Sequence, residues 1–138
     1  MAEKIRLELV TPTKQLLSVD VDSISMVGTE GDFSVLPNHT PMLTTLEMGE
    51  LSYQVNGETH FVFVDWGFCE VLPDKVIILA ETSELAFDID VEEAKRLRAE
   101  AQAILDQKRA EDDVIFEQAR VELLKQIARL GVASKIRM

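Results

Sequence analysis

Few side chains in this sequence have the type and spacing that catalysis, phosphate binding or metal binding requires. The glycine-rich stretch Gly28–Gly31 could form a phosphate-binding turn, but no Lys-Ser/Thr pair follows at P-loop spacing. Glu30 and Asp32 would also repel a phosphate. The only histidines, His39 and His60, are isolated and lack a cysteine or a second histidine nearby for a metal site or a catalytic triad. The sequence therefore predicts no catalytic residue and no metal site.

Composition narrows the class of protein further. The chain has 138 residues, of which 46% are hydrophobic, enough for one core with an appendage. A formal net charge of −11 makes nucleic acid a poor partner, because phosphate binding needs clustered Lys and Arg. No signal-peptide h-region and no apolar run of the ~20 residues that a membrane helix needs is found, so we expect a cytoplasmic protein. The lone Cys69 is expected to be a buried hydrophobe in a strand.

Up to about Phe87 apolar and polar residues alternate, as they do in half-buried strands. The first such series is Ile5, Leu7 and Leu9. The Asn56-Gly57 pair predicts a tight hairpin with positive φ, and Pro73-Asp74 predicts a second turn. Many short strands, with turn signals roughly every ten residues, indicate a β-sandwich or barrel.

Beyond residue 87 the apolar spacing becomes helical. Asp90 is a candidate N-cap, with Glu93 three residues later as in a capping box. A second helix is expected to be capped by Asp112 or Asp113 and to end at Gly131. Its apolar stripe comprises Phe116, Ala119, Leu123, Ile127 and Leu130. The short connection predicts an antiparallel helical hairpin.

The hairpin is expected to be movable. Its first helix has a thin, alanine-rich apolar face, so at roughly 25 cal/mol per Å² its packing stabilises it only modestly. An opening cost of a few kcal/mol is the scale of a two-state element. The second helix is locally basic, and Arg120, Lys125 and Arg129 are spaced so that they can share a broad face. Such charges form either a solvated face or a docking surface for an acidic partner.

The segment Gly28–Pro41 combines glycines, prolines, Asn38 and His39 in a short span, which predicts a shaped loop. Such a loop is either a binding surface or a corner of the barrel. At this segment the chain resembles the epsilon subunits of F-type ATP synthases. The family pattern G-x-E-G, then L-P-x-H-x-P-L/M-L, is matched by Gly28, Glu30, Gly31, Leu36, Pro37, His39, Pro41, Met42 and Leu43.

Two further segments, 67–71 and 76–81, also resemble the family, and the order of strands followed by two helices matches over the whole length. Ser34 and Trp66 stand where the family usually has glycine. If either position needs a positive φ, its side chain strains the backbone.

The resemblance implies an α+β protein: a ten-stranded N-terminal β-sandwich over residues 1–87, followed by a C-terminal antiparallel two-helix hairpin over residues 88–138. It implies a non-catalytic rotor subunit in the central stalk, at the cytoplasmic face of the bacterial inner membrane and not inserted into it. Such a subunit couples proton-driven rotation of the c-ring to ATP synthesis. It would contact the gamma subunit and the c-ring, while its hairpin restrains ATP hydrolysis by extending along gamma into the alpha/beta catalytic head.

The resemblance also implies site residues. The loop that contacts the c-ring and gamma would contain Glu30, Gly31, Asp32, Pro37, His39, Pro41 and Met42. The basic residues of the hairpin that would dock on the catalytic head are Arg120, Lys125 and Arg129.

Some members of the family bind ATP on the folded hairpin through an I/L-D-x-x-R-A motif. Ile89, Asp90 and Ala94 match it, but Glu93 stands at the arginine position and would repel a phosphate. We therefore expect no cofactor and weak or no ATP binding. A nucleotide-sensing module stays as the alternative function, followed by a free-standing adaptor and by an enzyme with an unrecognised site.

Overall fold

Eight strands occupy the first 85 residues of the computed structural model, which describes residues 3–107 and 114–136. They are β1 (Ile5–Val10), β2 (Gln15–Val21), β3 (Ser23–Gly28), β4 (Gly31–Val35), β5 (Met42–Leu46), β6 (Gly49–Val55), β7 (Glu58–Val71) and β8 (Lys75–Leu85). A 3-10 turn (Ala86–Asp88) and the helices α1 (Val91–Gln107) and α2 (Val114–Ser134) follow. The chain divides into a β unit, Met1–Ala86, and a helical unit, Phe87–Met138.

The β unit is a sandwich built from one hydrogen-bonded network. Strands run in the order β2-β1-β8-β7-β5-β3-β4, and β6 pairs with both β3 and β7. The first half of β7 pairs with β6, whereas its second half, Gly67–Val71, pairs with β5. The same strand therefore contributes to both layers, and β8 follows it through the bend.

The ten strands that the resemblance implies are wrong in number: the described residues form eight strands, of which β7 and β8 are long and continuous, with 14 and 11 residues. Their pairing register is the same on both sides of the bend, and only the position of Trp66 and Glu81 is missing from the ladder. A Cβ atom on Gly67 would lie 2.2 Å from the carbonyl oxygen of Leu79. Only glycine therefore allows the two strands to approach so closely at the bend.

Alternation along the strands fills the core with large aliphatic side chains. Ile5, Leu7 and Leu9 on β1 are fully buried, and Val76 and Ile78 on β8 are as well. At about 1.5–3 kcal/mol for each fully buried side chain of this size, the core is the main source of stability in the β unit.

The two predicted turns are confirmed. Val55 pairs with Glu58 across the two-residue loop, where Asn56 has φ 52° and Gly57 has φ 87°. These left-handed conformations match the twist of the flanking strands and are the ones that Asn-Gly favours. The second turn is closed by a hydrogen bond from Leu72 N to Lys75 O at 2.8 Å.

The hairpin helices form where the periodicity predicts them, with two corrections. Asp90 caps α1, since its Oδ1 accepts a hydrogen bond from Glu93 N at 3.0 Å. Gly131 does not end α2. The helix continues to Ser134, because Val132 and Ala133, the two residues that follow the glycine, are buried. Ile127 is 48% exposed and does not belong to the buried stripe. The proposed caps Asp112 and Asp113 lie outside the described residues.

Candidate interaction surfaces

Within residues 3–107 and 114–136, no three His, Cys, Asp or Glu side chains are grouped closely enough to hold a metal ion. Cys69 is fully buried in β7, as predicted, and burial raises the pKa of its thiol to about 12. His60 stacks on Tyr53 with ring centroids 5.0 Å apart. Neither described helix combines the length and the apolarity needed to cross a bilayer.

The predicted contact loop is not one loop. Residues Gly31–Val35 form strand β4, which pairs with β3 around a two-residue turn at Thr29-Glu30. Glu30, Gly31 and Asp32 are exposed at that turn, whereas the remaining predicted residues follow the opposite end of β4. The two groups are separated by roughly 13 Å, at about 3.3 Å of rise per residue.

The second group of predicted residues lies in a loop from 36 to 41 that is held by its neighbours. Asn38 N donates to Pro73 O at 2.8 Å, and Asn38 takes a φ of 68°. His39 is half-buried, and its Nδ1 donates to Thr40 O at 2.7 Å. Pro37 and Met42 are half-buried and Pro41 is exposed. The site predicted for one surface therefore becomes an acidic hairpin tip at one end of β4 and a proline-histidine loop at the other.

A surface that sequence reasoning missed lies on the outward side of β1, β8 and β7. The strand register places Val10 beside Leu79, and Leu79 beside Phe68. Leu79 is 53% exposed, Phe68 48% and Trp66 49%. We call the residues Val10, Trp66, Phe68 and Leu79 the apolar face. The outward side of an antiparallel sheet is ordinarily polar, so a continuous apolar row there marks a site of interaction.

The backbone at Trp66 is strained. Its φ is 35°, in the left-handed region that bulky residues rarely enter. The indole contacts the ring of Phe68 edge-on, with centroids 6.2 Å apart. Ser34, the other departure from the family's glycines, lies in regular β4 and shares a 2.8 Å hydrogen bond with Ser25. Backbone strain at a position with two exposed aromatic rings points to a role for those rings.

A groove of about 330 Å³ runs along the apolar face. Pro12 and Thr11 form its wall beside Val10. Glu70 and Glu81, both exposed, continue the rows of Phe68 and Leu79 along the same strands. An apolar centre with acidic neighbours suits a partner whose own apolar patch is bordered by Lys or Arg.

The basic residues of α2 do not share one face. Arg129 is 5% exposed, and its Nη2 lies 3.1 Å from Glu93 Oε1 on α1. Arg120 is exposed and paired with Glu117 one turn earlier, whereas Lys125 is half-buried. The prediction of a common face is wrong for the folded hairpin, because an offset of nine residues at 3.6 residues per turn places Arg120 and Arg129 about 180° apart around the helix axis.

The residues that match the ATP motif have structural roles in the folded hairpin. Ile89 is 2% exposed and Ala94 is fully buried. Asp90 is the N-cap of α1, and its carbonyl oxygen accepts a hydrogen bond from Ala94 N at 2.9 Å. Glu93, at the arginine position of the motif, directs its carboxylate to Arg129.

Comparison with known proteins places this architecture in a class. The family model for the β-sandwich domain of ATP synthase delta/epsilon chains matches residues 4–86. The fold also resembles a chain in the mitochondrial ATP synthase of Euglena gracilis, solved as OSCP/F1/c-ring, with a TM-score of 0.79 at 23% identity over 96% of this chain and 81% of that one.

The whole length of the chain has curated relatives. It is 43% identical to the ATP synthase epsilon chain of Geobacter sulfurreducens, over 98% of this chain and 97% of that one. It is 45% identical to the ATP synthase epsilon chain of Syntrophobacter fumaroxidans, over 98% and 99%. The chain therefore belongs to the family of ATP synthase epsilon chains.

Proposed function

We propose that the chain is a non-catalytic rotor subunit of a bacterial F-type ATP synthase, bound peripherally at the cytoplasmic face of the inner membrane. Its β unit couples rotation of the c-ring to the gamma subunit, and its helical unit restrains ATP hydrolysis. The observation that carries the proposal is the apolar face, an exposed aromatic and aliphatic row on a rigid sheet. Coupling by a rotor subunit needs such a surface and no catalytic group.

The two surfaces of the β unit would bind different partners. The apolar face, with Glu70 and Glu81 beside it, fits gamma, and the loop around His39 fits the c-ring. Exposed aromatic side chains at the centre of an interface contribute most to its affinity, commonly about 2 kcal/mol or more each. Phe68 and Trp66 are therefore expected to dominate the binding of gamma.

Purified gamma subunit titrated with the full chain tests this assignment. Replacing Phe68 and Leu79 together by serine is expected to weaken binding by at least about 30-fold, the equivalent of 2 kcal/mol. Leu36→Ser is the matched control, because Leu36 is 59% exposed and lies in the other surface. Unchanged affinity of the correctly folded double variant for gamma would contradict the assignment.

The inhibitory role of the helical unit has its own test in the reassembled enzyme. Replacing Arg120 and Lys125 by glutamine removes two positive charges from α2 and weakens its attraction to an acidic catalytic head, so ATP hydrolysis is expected to rise. The control replaces Lys95 and Arg98, two cations exposed on α1, by glutamine. If both double variants hydrolyse ATP at the parental rate, docking through the charges of α2 is excluded.

A further inference from the structure

The helical unit contains a buried polar cluster that its small apolar interface does not explain. Among the residues that the structure describes, most of its buried apolar side chains are alanines: Ala94, Ala101, Ala119 and Ala133. Among them, Gln126 is 1% exposed and Arg129 5% exposed, the only buried polar or charged residues in the part of the chain that the structure describes. A buried charge is stable only where it is paired, so this cluster constrains the hairpin.

The cluster joins the two helices. Arg129 Nη1 donates to Gln126 Oε1 at 2.7 Å, and Gln126 Nε2 donates to Glu122 Oε1 at 2.6 Å. Arg129 Nη2 crosses to Glu93 Oε1 on α1 at 3.1 Å. Three residues of α2 are thereby ordered around a guanidinium that forms an ion pair with a carboxylate of the other helix. We call Glu93, Glu122, Gln126 and Arg129 the latch cluster.

We propose that the Glu93–Arg129 pair is the latch of the hairpin and sets the population of its open form without any bound ligand. In the closed hairpin the carboxylate of Glu93 compensates the buried guanidinium. In an open hairpin water hydrates Arg129 instead. Removing the charge of Glu93 therefore destabilises the closed form much more than the open form, and the equilibrium shifts towards opening.

The same geometry makes a phosphate unnecessary for closure. The guanidinium that could bind an anion already binds a carboxylate supplied by the chain itself. An incoming phosphate would have to displace Glu93 and would meet its negative charge. Closure is consequently expected to be independent of nucleotide, in contrast to an arm that ATP holds shut.

Hydrogen exchange of the full chain, followed amide by amide, tests the latch. In Glu93→Gln the amides of α1 and α2 are expected to exchange at least tenfold faster, while those of β1, β7 and β8 stay unchanged and report an intact fold. Glu100→Gln is the matched control, because Glu100 forms a 3.0 Å pair with Arg96 in which both side chains are about 60% exposed. That variant should change exchange less than twofold. Adding 1 mM ATP should change neither parent nor variant.

A swap of the two charges provides the second readout. Glu93→Arg combined with Arg129→Glu should restore at least part of the protection that Glu93→Arg alone removes, because the pair re-forms with opposite polarity. Exchange in Glu93→Gln within twofold of the parent, or no rescue by the swap, would overturn the latch. So would protection of the hairpin that rises with ATP.

The consequence for the enzyme rests on the proposed function and can fail separately. In the reassembled complex Glu93→Gln is expected to lower ATP hydrolysis, because the open arm is the inhibitory one. Faster exchange with unchanged hydrolysis would support the latch and contradict the inhibitory role of the arm.

Discussion

In the β unit the fully buried side chains are large, with Phe63, Ile5 and Leu7 among them, whereas in the described part of the helical unit most of the buried apolar side chains are alanines. A buried leucine or isoleucine contributes about 1.5–3 kcal/mol, and an alanine methyl well under half of that. The helical unit adds an ion pair between the buried Arg129 and Glu93, whose side chain is 43% exposed. The net contribution of such a pair is small, but leaving the buried charge without its partner is costly. One unit is thus stable because of its apolar core, and the other is closed only while specific polar partners are in place.

This difference in packing suits a protein in which the β unit stays rigid and the helical unit changes conformation. A sheet that transmits torque has to keep its contact surface fixed, and the strained Trp66 is fixed by the strands around it. An arm that opens has to lose little free energy when it does so. The predictions below contrast the two units, beginning with the largest expected effect.

Replacing a glycine by alanine should lower the free energy of unfolding in the β unit and raise it in the helical unit. Gly67→Ala is expected to destabilise the β unit by about 3 kcal/mol, since the added Cβ would lie 2.2 Å from Leu79 O. Gly131→Ala meets nothing within 4 Å inside α2 and is expected to stabilise the helix by about 1 kcal/mol. Urea unfolding monitored by Trp66 fluorescence and by helical circular dichroism measures both. A loss below 1 kcal/mol for Gly67→Ala would mean that the bend is not rigid.

Substitutions at Trp66 should separate stability from binding. At φ 35° glycine is unstrained and alanine is not, so Trp66→Gly is expected to be more stable than Trp66→Ala by about 1 kcal/mol. Both variants lose the indole and should bind gamma equally weakly. Thermal unfolding and a gamma titration measure the two quantities. Equal stability of both variants would show that the backbone at this position relaxes without cost.

The acid stability of the β unit should depend on Asp22, in the smallest of these effects. Lys4 Nζ binds Asp22 Oδ1 at 2.6 Å and Asn56 N donates to its Oδ2 at 2.7 Å, and the hydrogen bond from Lys4 is the main reason that the pKa of Asp22 is lowered from 3.8. A lowered pKa in the folded state stabilises the fold above about pH 4, and this contribution is lost as the pH falls through the folded pKa.

Urea midpoints of the parent and of Asp22→Asn, measured from pH 7 to pH 2.5, check this dependence. The parent should be more stable at pH 7, and the two curves should converge at the acid end. Curves that stay parallel over the whole range would assign the acid sensitivity to other carboxylates.

Local features of the sequence predicted much of this protein, and features that depend on distant contacts did not follow from it. Asn56-Gly57 specifies its turn through its own backbone preferences, and Asp90 caps a helix through its own side chain. The bend of β7 at Trp66 depends on the approach of β8, a contact between residues far apart in sequence that no local pattern encodes. The alternation along β7 was an available signal. Trp66 and Phe68 alternate with Gly67 and Cys69, so the two large rings share the outward side of the strand.

The same distinction between local features and distant contacts applies to the candidate site residues. The family pattern groups Glu30 and His39 in one predicted contact loop, but the pattern carries no information that β4 separates them. The spacing of Arg120, Lys125 and Arg129 predicted that Arg129 shares a broad face with the other two basic residues. Gln126 lies seven residues from both Ala119 and Ala133, so these three residues share the buried side of α2. Arg129 is three residues from Gln126 and therefore lies on the same side. Helical position was the better guide there, because a charge can be buried once a partner such as Glu93 is within reach.

The most direct test of the contrast between the two units is the free energy of opening of individual amides, obtained by native-state hydrogen exchange of the intact chain. Amides in β1, β7 and β8 are expected to open only by global unfolding of the β unit. Amides in α1 and α2 should open at least 2 kcal/mol more easily, by a separate local event, which corresponds to about 30-fold faster exchange. Equal opening free energies in the helices and in the central strands would contradict a hairpin that opens on a rigid β unit.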